Sequence, residues 1–266
     1  MDTITISVHA ANPGTSACGS GCISGPCMNE LTPYNVGRVK DYTLASVVTP
    51  AMFDELFPTR LRSFYTYEAF ILAASVFPEF GTTGSKDMQK REAAAFLAHI
   101  QVQTAGLSVI EAGGSDDFCY LGLVGGVASA CTAGKKYYPR GPMQLTWNYN
   151  YNLASQAVGE DLLEKPELVS ENPTISFKTA LWVWMTPGLS HSSNKLSSHD
   201  VMTQLSWTRS TMDSAVSRQS GFGATIYVLM GEKECTQASP QAKTRREAYL
   251  QATKILGVAP GDNLHC

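Results

Sequence analysis

Helical spacing of apolar residues, with almost no period-two alternation, is what most constrains this chain. Between Ser85 and Ala105, Ala93–Ala95, Phe96, Leu97 and Ile100 form one buried face, and Ser85 stands where an N-cap belongs. The same spacing predicts helices from Pro50 to about Pro58, over Tyr67–Phe77, Asn148–Val158, Pro173–Met185, Ser210–Met230 and Gln241–Leu256. Pro78 and Gly81 close the second of these, and Gly257 stops the last. Alternation is confined to Thr3–Val8, and Gly106–Lys136, dense in Gly, Ser and Asp, is predicted to be loop. The expected class is mainly α, loop-rich, with a cleft between two helical lobes.

The segment Tyr137–Tyr151, YYPRGPMQLTWNYNY, carries the chemistry. Four tyrosines, a tryptophan, two asparagines, a glutamine and a threonine surround an Arg-Gly-Pro turn. Rings interleaved with amides and hydroxyls suit a ligand with apolar faces and polar rims, which describes a sugar. By composition alone, the alternative is a tyrosine-rich turn packed between helices.

Bulk properties narrow the partners. At 266 residues the chain has ample length for a buried core. Charged residues are 16% and the net charge is −3, so no strong field selects nucleic acid or an anionic membrane. No apolar run reaches the ~20 residues that span a bilayer. His9, His99, His191, His199 and His265 form no metal-spaced cluster, and neither a nucleophile elbow nor a phosphate-cradling glycine loop is present. No cofactor or metal is expected. Seven cysteines argue for an oxidising compartment, yet MDTITISVHAANPG lacks the basic start and apolar run of a secretory signal.

Three separated stretches resemble the family 19, plant-type chitinases: Tyr137–Tyr151, Phe64–Gly81 (through Phe64, Tyr65, Thr66, Phe70, Ile71, Ala73, Phe77, Phe80 and Gly81), and the closing ILGVAPGDNLHC. The resemblance implies a lysozyme-like, two-lobed helical domain over residues 43–266. Chitin or its N-acetylglucosamine oligomers are the implied ligand, the protein a monomer, and the location extracellular or vacuolar. Residues 1–42 read as leader and linker. Within them ACGSGCISGPC, with Cys18, Cys22 and Cys27, resembles the tail of a hevein-type chitin-binding domain, so a truncated module explains both the odd cysteine count and the absent signal. A short cysteine-rich leader with its own local bridge is the other reading. The resemblance also implies the disulfides Cys119–Cys131 and Cys235–Cys266, closing loops worth roughly 2–4 kcal/mol each.

Inverting hydrolysis of a glycosidic bond takes a protonated carboxyl to donate to the leaving oxygen and an ionised one to activate water. The family acid is the glutamate of a His-Glu-Thr triplet, and AAFLAHIQVQTAG places Val102, Gln103 and Thr104 there. Glutamine keeps the shape of glutamic acid but has no proton to give, so turnover is expected to be strongly impaired. Read without the family, Gln103 is an ordinary polar helix residue. Glu111 lies at nearly the family's interval for the base. A second alignment, anchored on Cys119, places Leu123 there instead, and Asp116 and Asp117 fall at the wrong interval. Gln144, Thr146 and Asn150 match substrate-side positions, with Thr146 at the water-holding hydroxyl, and Tyr138 and Tyr149 supply ring surface. Glu234 and Arg246 match charged cleft positions, or form a surface ion pair. Met230 replaces a sugar-binding asparagine, and Pro139 replaces a glycine and so re-aims the turn into Arg140. Two expectations follow: a chitin hydrolase with a crippled acid step, or a non-catalytic binder of chitin oligomers in defence or wall assembly.

Overall fold

The computed structural model describes residues 43–124, 127–187, 196–203, 220–235 and 239–266. The chain divides into Met1–Arg38 and Val39–Cys266, and everything below concerns the second unit. The expected leader, its hevein-like cysteines and the Thr3–Val8 alternation lie outside the described residues.

Helices dominate: α1 (Pro50–Leu56), α2 (Tyr67–Ala74), α3 (Lys86–Gln103), α4 (Asn148–Val158), α5 (Leu168–Glu171), α6 (Pro173–Met185), α7 (Ser198–Thr203), α8 (Phe222–Met230) and α9 (Pro240–Ile255). Local chemistry fixes most starts. Thr49, Thr66, Ser85, Asn172 and Ser239 each accept a backbone N–H of the first turn through the side chain. Pro50, Pro173 and Pro240 occupy first-turn positions where no N–H is needed.

Helix α3 is the spine. Glu92 through Ile100 are buried along it, and it packs lengthwise on α9. Around its middle, Phe96 stacks on Phe70 (5.9 Å between centroids) and meets Trp184 edge-on at 5.7 Å. A second core gathers Tyr137, Leu145, Tyr151, Ala154, Val158, Leu162, Val169, Ile175 and Trp182. Helix α6 is the wall between the two: Phe177, Leu181 and Trp184 enter the first core, Ile175 and Trp182 the second. Hence α6 is buried along most of its length, Thr174, Ser176 and Thr179 included, and its one buried cation, Lys178, donates to the carbonyl of Val158 at the end of α4 (3.0 Å). The mainly α, disulfide-bonded architecture agrees with the expectation.

The differences are local. Helix α2 ends at Ala74, short of Phe77, because Ser75 turns its hydroxyl onto the Leu72 carbonyl (2.7 Å). Of the expected Ser210–Met230 helix, residues 210–219 lie outside the described set. The described part starts at Phe222, after Gly221 with φ 148°. Helices α5 and α7, of four and six residues, show no period to read at that length. The predicted loop holds a hairpin, β1 (Leu123–Val124) against β2 (Val127–Ala128), antiparallel, with Leu123 opposite Ala128. The Cys119–Cys131 disulfide closes over it.

Candidate functional site

Helix α3 ends at Gln103, the position expected to hold the general acid. Thr104 caps it: its hydroxyl donates to the Ile100 carbonyl and accepts from the Leu107 amide, turning the chain sharply after Gln103. One turn earlier, His99 sits on the same face as Gln103. Both meet Arg245, which α9 delivers into the α3–α9 seam with its side chain only 3% exposed.

Arg245 organises this end of the site. Its Nε donates to Glu234 Oε2 (2.7 Å) and its Nη2 to Glu234 Oε1 (3.0 Å), a bidentate pair. Nη2 also reaches Gln103 Oε1 at 2.7 Å and the Met230 sulfur at 3.4 Å. Nη1 lies 3.3 Å from His99 Nδ1, whose partner nitrogen Nε2 is 2.8 Å from the Thr225 hydroxyl. Arginine can only donate, so His99 Nδ1 must accept and Nε2 must carry the proton. Burial, with Arg245 adding to it, holds the His99 pKa well below its usual value, in keeping with that neutral tautomer.

Arg246, expected in the cleft beside Glu234, is not part of this group. It points to the exposed side and bonds His265 Nδ1 at 2.8 Å. The adjacent Arg245 takes the pairing instead. Successive helix positions differ by about 100°, so only one of two neighbouring arginines can face α3.

A second cluster surrounds the turn Tyr138–Thr146. Residues Ile110–Ala112 run beside Pro139–Gly141: the Ala112 amide donates to the Pro139 carbonyl (3.0 Å), and Gly141 to Ile110 (2.8 Å). Pro139 lends only its carbonyl here, which proline can supply. Gly141, at φ +76°, approaches Ser176 and Val169 so closely that a Cβ would lie 3.1 Å from each. This strip brings Glu111 Oε2 to 3.3 Å from Arg140 Nε and within 3.4 Å of the Tyr138 hydroxyl, which donates to it. The Arg140 guanidinium lies 3.7 Å over the Tyr138 ring and donates to the Tyr151 hydroxyl (2.9 Å). Leu123, the alternative base position, projects from β1 and is 69% exposed.

Gln144 bonds the Gly141 carbonyl through Nε2 (2.8 Å), the Thr146 hydroxyl donates to the Gln144 carbonyl (2.7 Å), and Asn150 Nδ2 donates to the Thr146 carbonyl (2.9 Å). Gln144 (φ 54°) and Trp147 (φ 75°) both hold left-handed backbone that favours glycine, so the turn is strained. Trp147 stacks on Tyr149 (6.2 Å, 11°), which meets Tyr120 edge-on at 6.1 Å, giving a ladder of rings. Among the described residues, no hydrogen bond or ion pair joins the Gln103–Arg245 cluster to the Glu111–Arg140 cluster.

A cavity of about 540 Å³ opens elsewhere on the α3–α9 seam, among Thr59, Gln101, Val102, Thr244 and Glu247. None of the residues expected to carry chemistry lines it, so volume does not locate the site. Among the described residues, no group of His, Cys, Asp or Glu is arranged to hold a metal.

Residues 47–266 match the glycoside hydrolase family 19 pattern, described as chitinase class I. The chain belongs to the family 19 chitinases. Among its relatives, chitinase 3 of Oryza sativa subsp. japonica is 41% identical over 270 residues, covering 94% of this chain and 82% of that protein. An endochitinase of Pisum sativum is 40% identical, covering 94% of this chain and 80% of its own length. Among solved structures, a bacterial family 19 chitinase superposes with a TM-score of 0.69 at 38% identity, covering 83% of this chain and all of that one. A class IV family 19 chitinase from Zea mays gives 0.67 at 35% identity, with coverage of 83% and 98%. Arg245 is the residue that sequence reasoning missed. Its signal was the ArgArg pair on a helix whose next face, Ala248, Tyr249 and Ala252, is buried.

Proposed function

We propose that this chain is a family 19 protein that binds chitin oligomers and whose hydrolytic turnover is strongly impaired by Gln103. One observation carries the reading: the residue at the general-acid position is an amide, bonded through Oε1 to the Arg245–Glu234 pair. Such an amide cannot release a proton to a leaving oxygen at any useful pH. Losing general acid catalysis costs about 10²–10⁴ in rate.

Ring and amide groups supporting sugar binding remain at Tyr138, Gln144, Thr146, Tyr149 and Asn150, with Glu111 as the candidate base. Glu111 is spoken for by Arg140 and Tyr138. That tether favours the stricter form of the reading, a binder without turnover, as does Met230, whose sulfur faces Arg245 in place of a sugar-binding amide. Both disulfides support an oxidising, extracellular or vacuolar setting.

The test measures reducing ends released from N-acetylglucosamine hexamer, with calorimetric binding alongside. The chain as it stands is expected to bind with release near background, and Gln103→Glu to raise release at least about 10²-fold. Full release by the unaltered chain would overturn the reading.

A further inference from the structure

Methionine sulfur ordinarily packs among apolar groups, which also shields it. Met52, Met143, Met185 and Met202 do so, in or against the first core. Met230 does not. It is the last residue of α8, it is part-exposed, and it joins none of the apolar clusters. Beside it, Gly231 has nothing within 4 Å of where a Cβ would stand, so this helix end is open to small molecules. The Met230 sulfur lies instead 3.4 Å from Arg245 Nη2.

That nitrogen carries two hydrogens and faces three acceptors: Glu234 Oε1 at 3.0 Å, Gln103 Oε1 at 2.7 Å and the Met230 sulfur. A thioether is the weakest of the three, so the sulfur is left with little. Oxidation changes the order, because a sulfoxide is polar and its oxygen accepts strongly. Glu234 keeps its hydrogen by charge, and the sulfoxide competes with the Gln103 amide for the other. Methionine's unbranched side chain can turn to bring the new oxygen to Nη2.

We propose that Met230 is a modification site for hydroperoxides such as hydrogen peroxide, and that its sulfoxide draws Arg245 away from Gln103. The sulfur lone pair attacks one peroxide oxygen and the O–O bond breaks. The proton on the transferred oxygen passes to the departing hydroxide, which leaves as water. Sulfur loses two electrons and the peroxide gains them. The guanidinium beside the sulfur stabilises the negative charge that builds on the departing oxygen. Both disulfides suit the same oxidising setting, and sulfoxide reductases reverse the step. A freed amide must be ordered again when ligand binds, so affinity for sugar falls. The modification rests on the contacts around Arg245 alone, whereas its effect on affinity rests on the binding reading.

The experiment adds limiting hydrogen peroxide to the unaltered chain and follows each methionine by peptide mass mapping. Met88 is the internal comparison: part-exposed and outside the apolar clusters, with no hydrogen bond to its sulfur among the described residues. Met230 is expected to gain oxygen at least about 5-fold faster than Met88. In the protein oxidised at Met230, the Gln103 side-chain NH2 resonances are expected to shift, and reductase to return them. Calorimetry with N-acetylglucosamine hexamer is expected to show affinity falling about 2- to 10-fold, the worth of one hydrogen bond. Met230→Leu, without the sulfur, is expected to show none of these responses to peroxide. Met230→Gln, which places a strong acceptor there, is expected to shift the Gln103 resonances with no peroxide at all.

Oxidation of Met230 no faster than Met88, or Gln103 resonances unmoved by it, would overturn the proposal. So would an affinity for hexamer that oxidation leaves unchanged. The first two readouts need no sugar, so a chain that binds no hexamer counts against the proposed function and leaves the modification site to be judged by them.

Discussion

His199 Nδ1 lies 2.6 Å from Glu92 Oε1, tying α7 to the middle of α3 through a carboxylate with no solvent exposure. Trp184 Nε1 donates to the same oxygen (3.0 Å), and the Gly81 amide donates to Oε2 (2.9 Å). Every side of the buried charge is met by a donor, which is what makes it tolerable. Glu92→Ala removes the acceptor for all three at once and strands a buried histidine. A loss of about 3–5 kcal/mol in denaturant unfolding is expected.

The two buried histidines give opposite pH dependences. Burial opposes charge on His199, but the bond and charge of Glu92, with Asp200 and Glu79, raise its pKa above the usual 6.5. Its contribution is complete below that value and is lost as pH rises through the raised one. His99 is lowered, so the unfolded chain takes up a proton that the folded one refuses, and stability falls as pH drops below about 6.5. Thermal melts across pH should show a maximum between the two limbs, each sloping by at most about 1.4 kcal/mol per pH unit. His199→Gln should flatten the alkaline limb and leave the acid one.

Neighbouring arginines should behave very differently. Arg246→Ala removes one exposed contact to His265 and is expected to change stability by less than about 0.5 kcal/mol. Arg245→Ala leaves Glu234, whose side chain is 15% exposed, without its partner, and a cost of about 3 kcal/mol is expected. Parallel urea titrations of the two variants settle the assignment.

Gly223 tests how closely the last residues lie on α8. Its amide donates to the Asn263 carbonyl (2.8 Å), and a Cβ placed there would lie 2.0 Å from the His265 carbonyl oxygen. That neighbour is backbone and cannot swing away. Gly223→Ala is expected to cost at least about 1–3 kcal/mol in denaturant unfolding, although alanine is the better helix former.

Long periodic elements were legible because burial repeats along them. The Ser85 cap and the Ala93–Ile100 face predicted α3 almost to the residue. What escaped was short or tertiary. Helix α7 has too few residues for a period, though Ser197 and Asp200 do bond each other's amides at its start, a local signal that could have marked it. The choice of Arg245 over Arg246 depends on which face of α9 meets α3, and two adjacent identical residues carry no such information. Glu111 is a candidate base by interval alone. Its engagement with Arg140 depends on two segments lying side by side, about 30 residues apart in the chain.

Cys235 follows Glu234 directly and is bridged to Cys266, across a sequence separation of 31. The carboxylate that anchors Arg245 is therefore one peptide unit from a covalent stop, and the far side of that stop is the segment threaded over α8. Reducing this bridge would reach the amide at 103 by way of Glu234 and Arg245. The sulfur–sulfur link thus stands next in line to the side chain at 103, with only Glu234 and Arg245 between them.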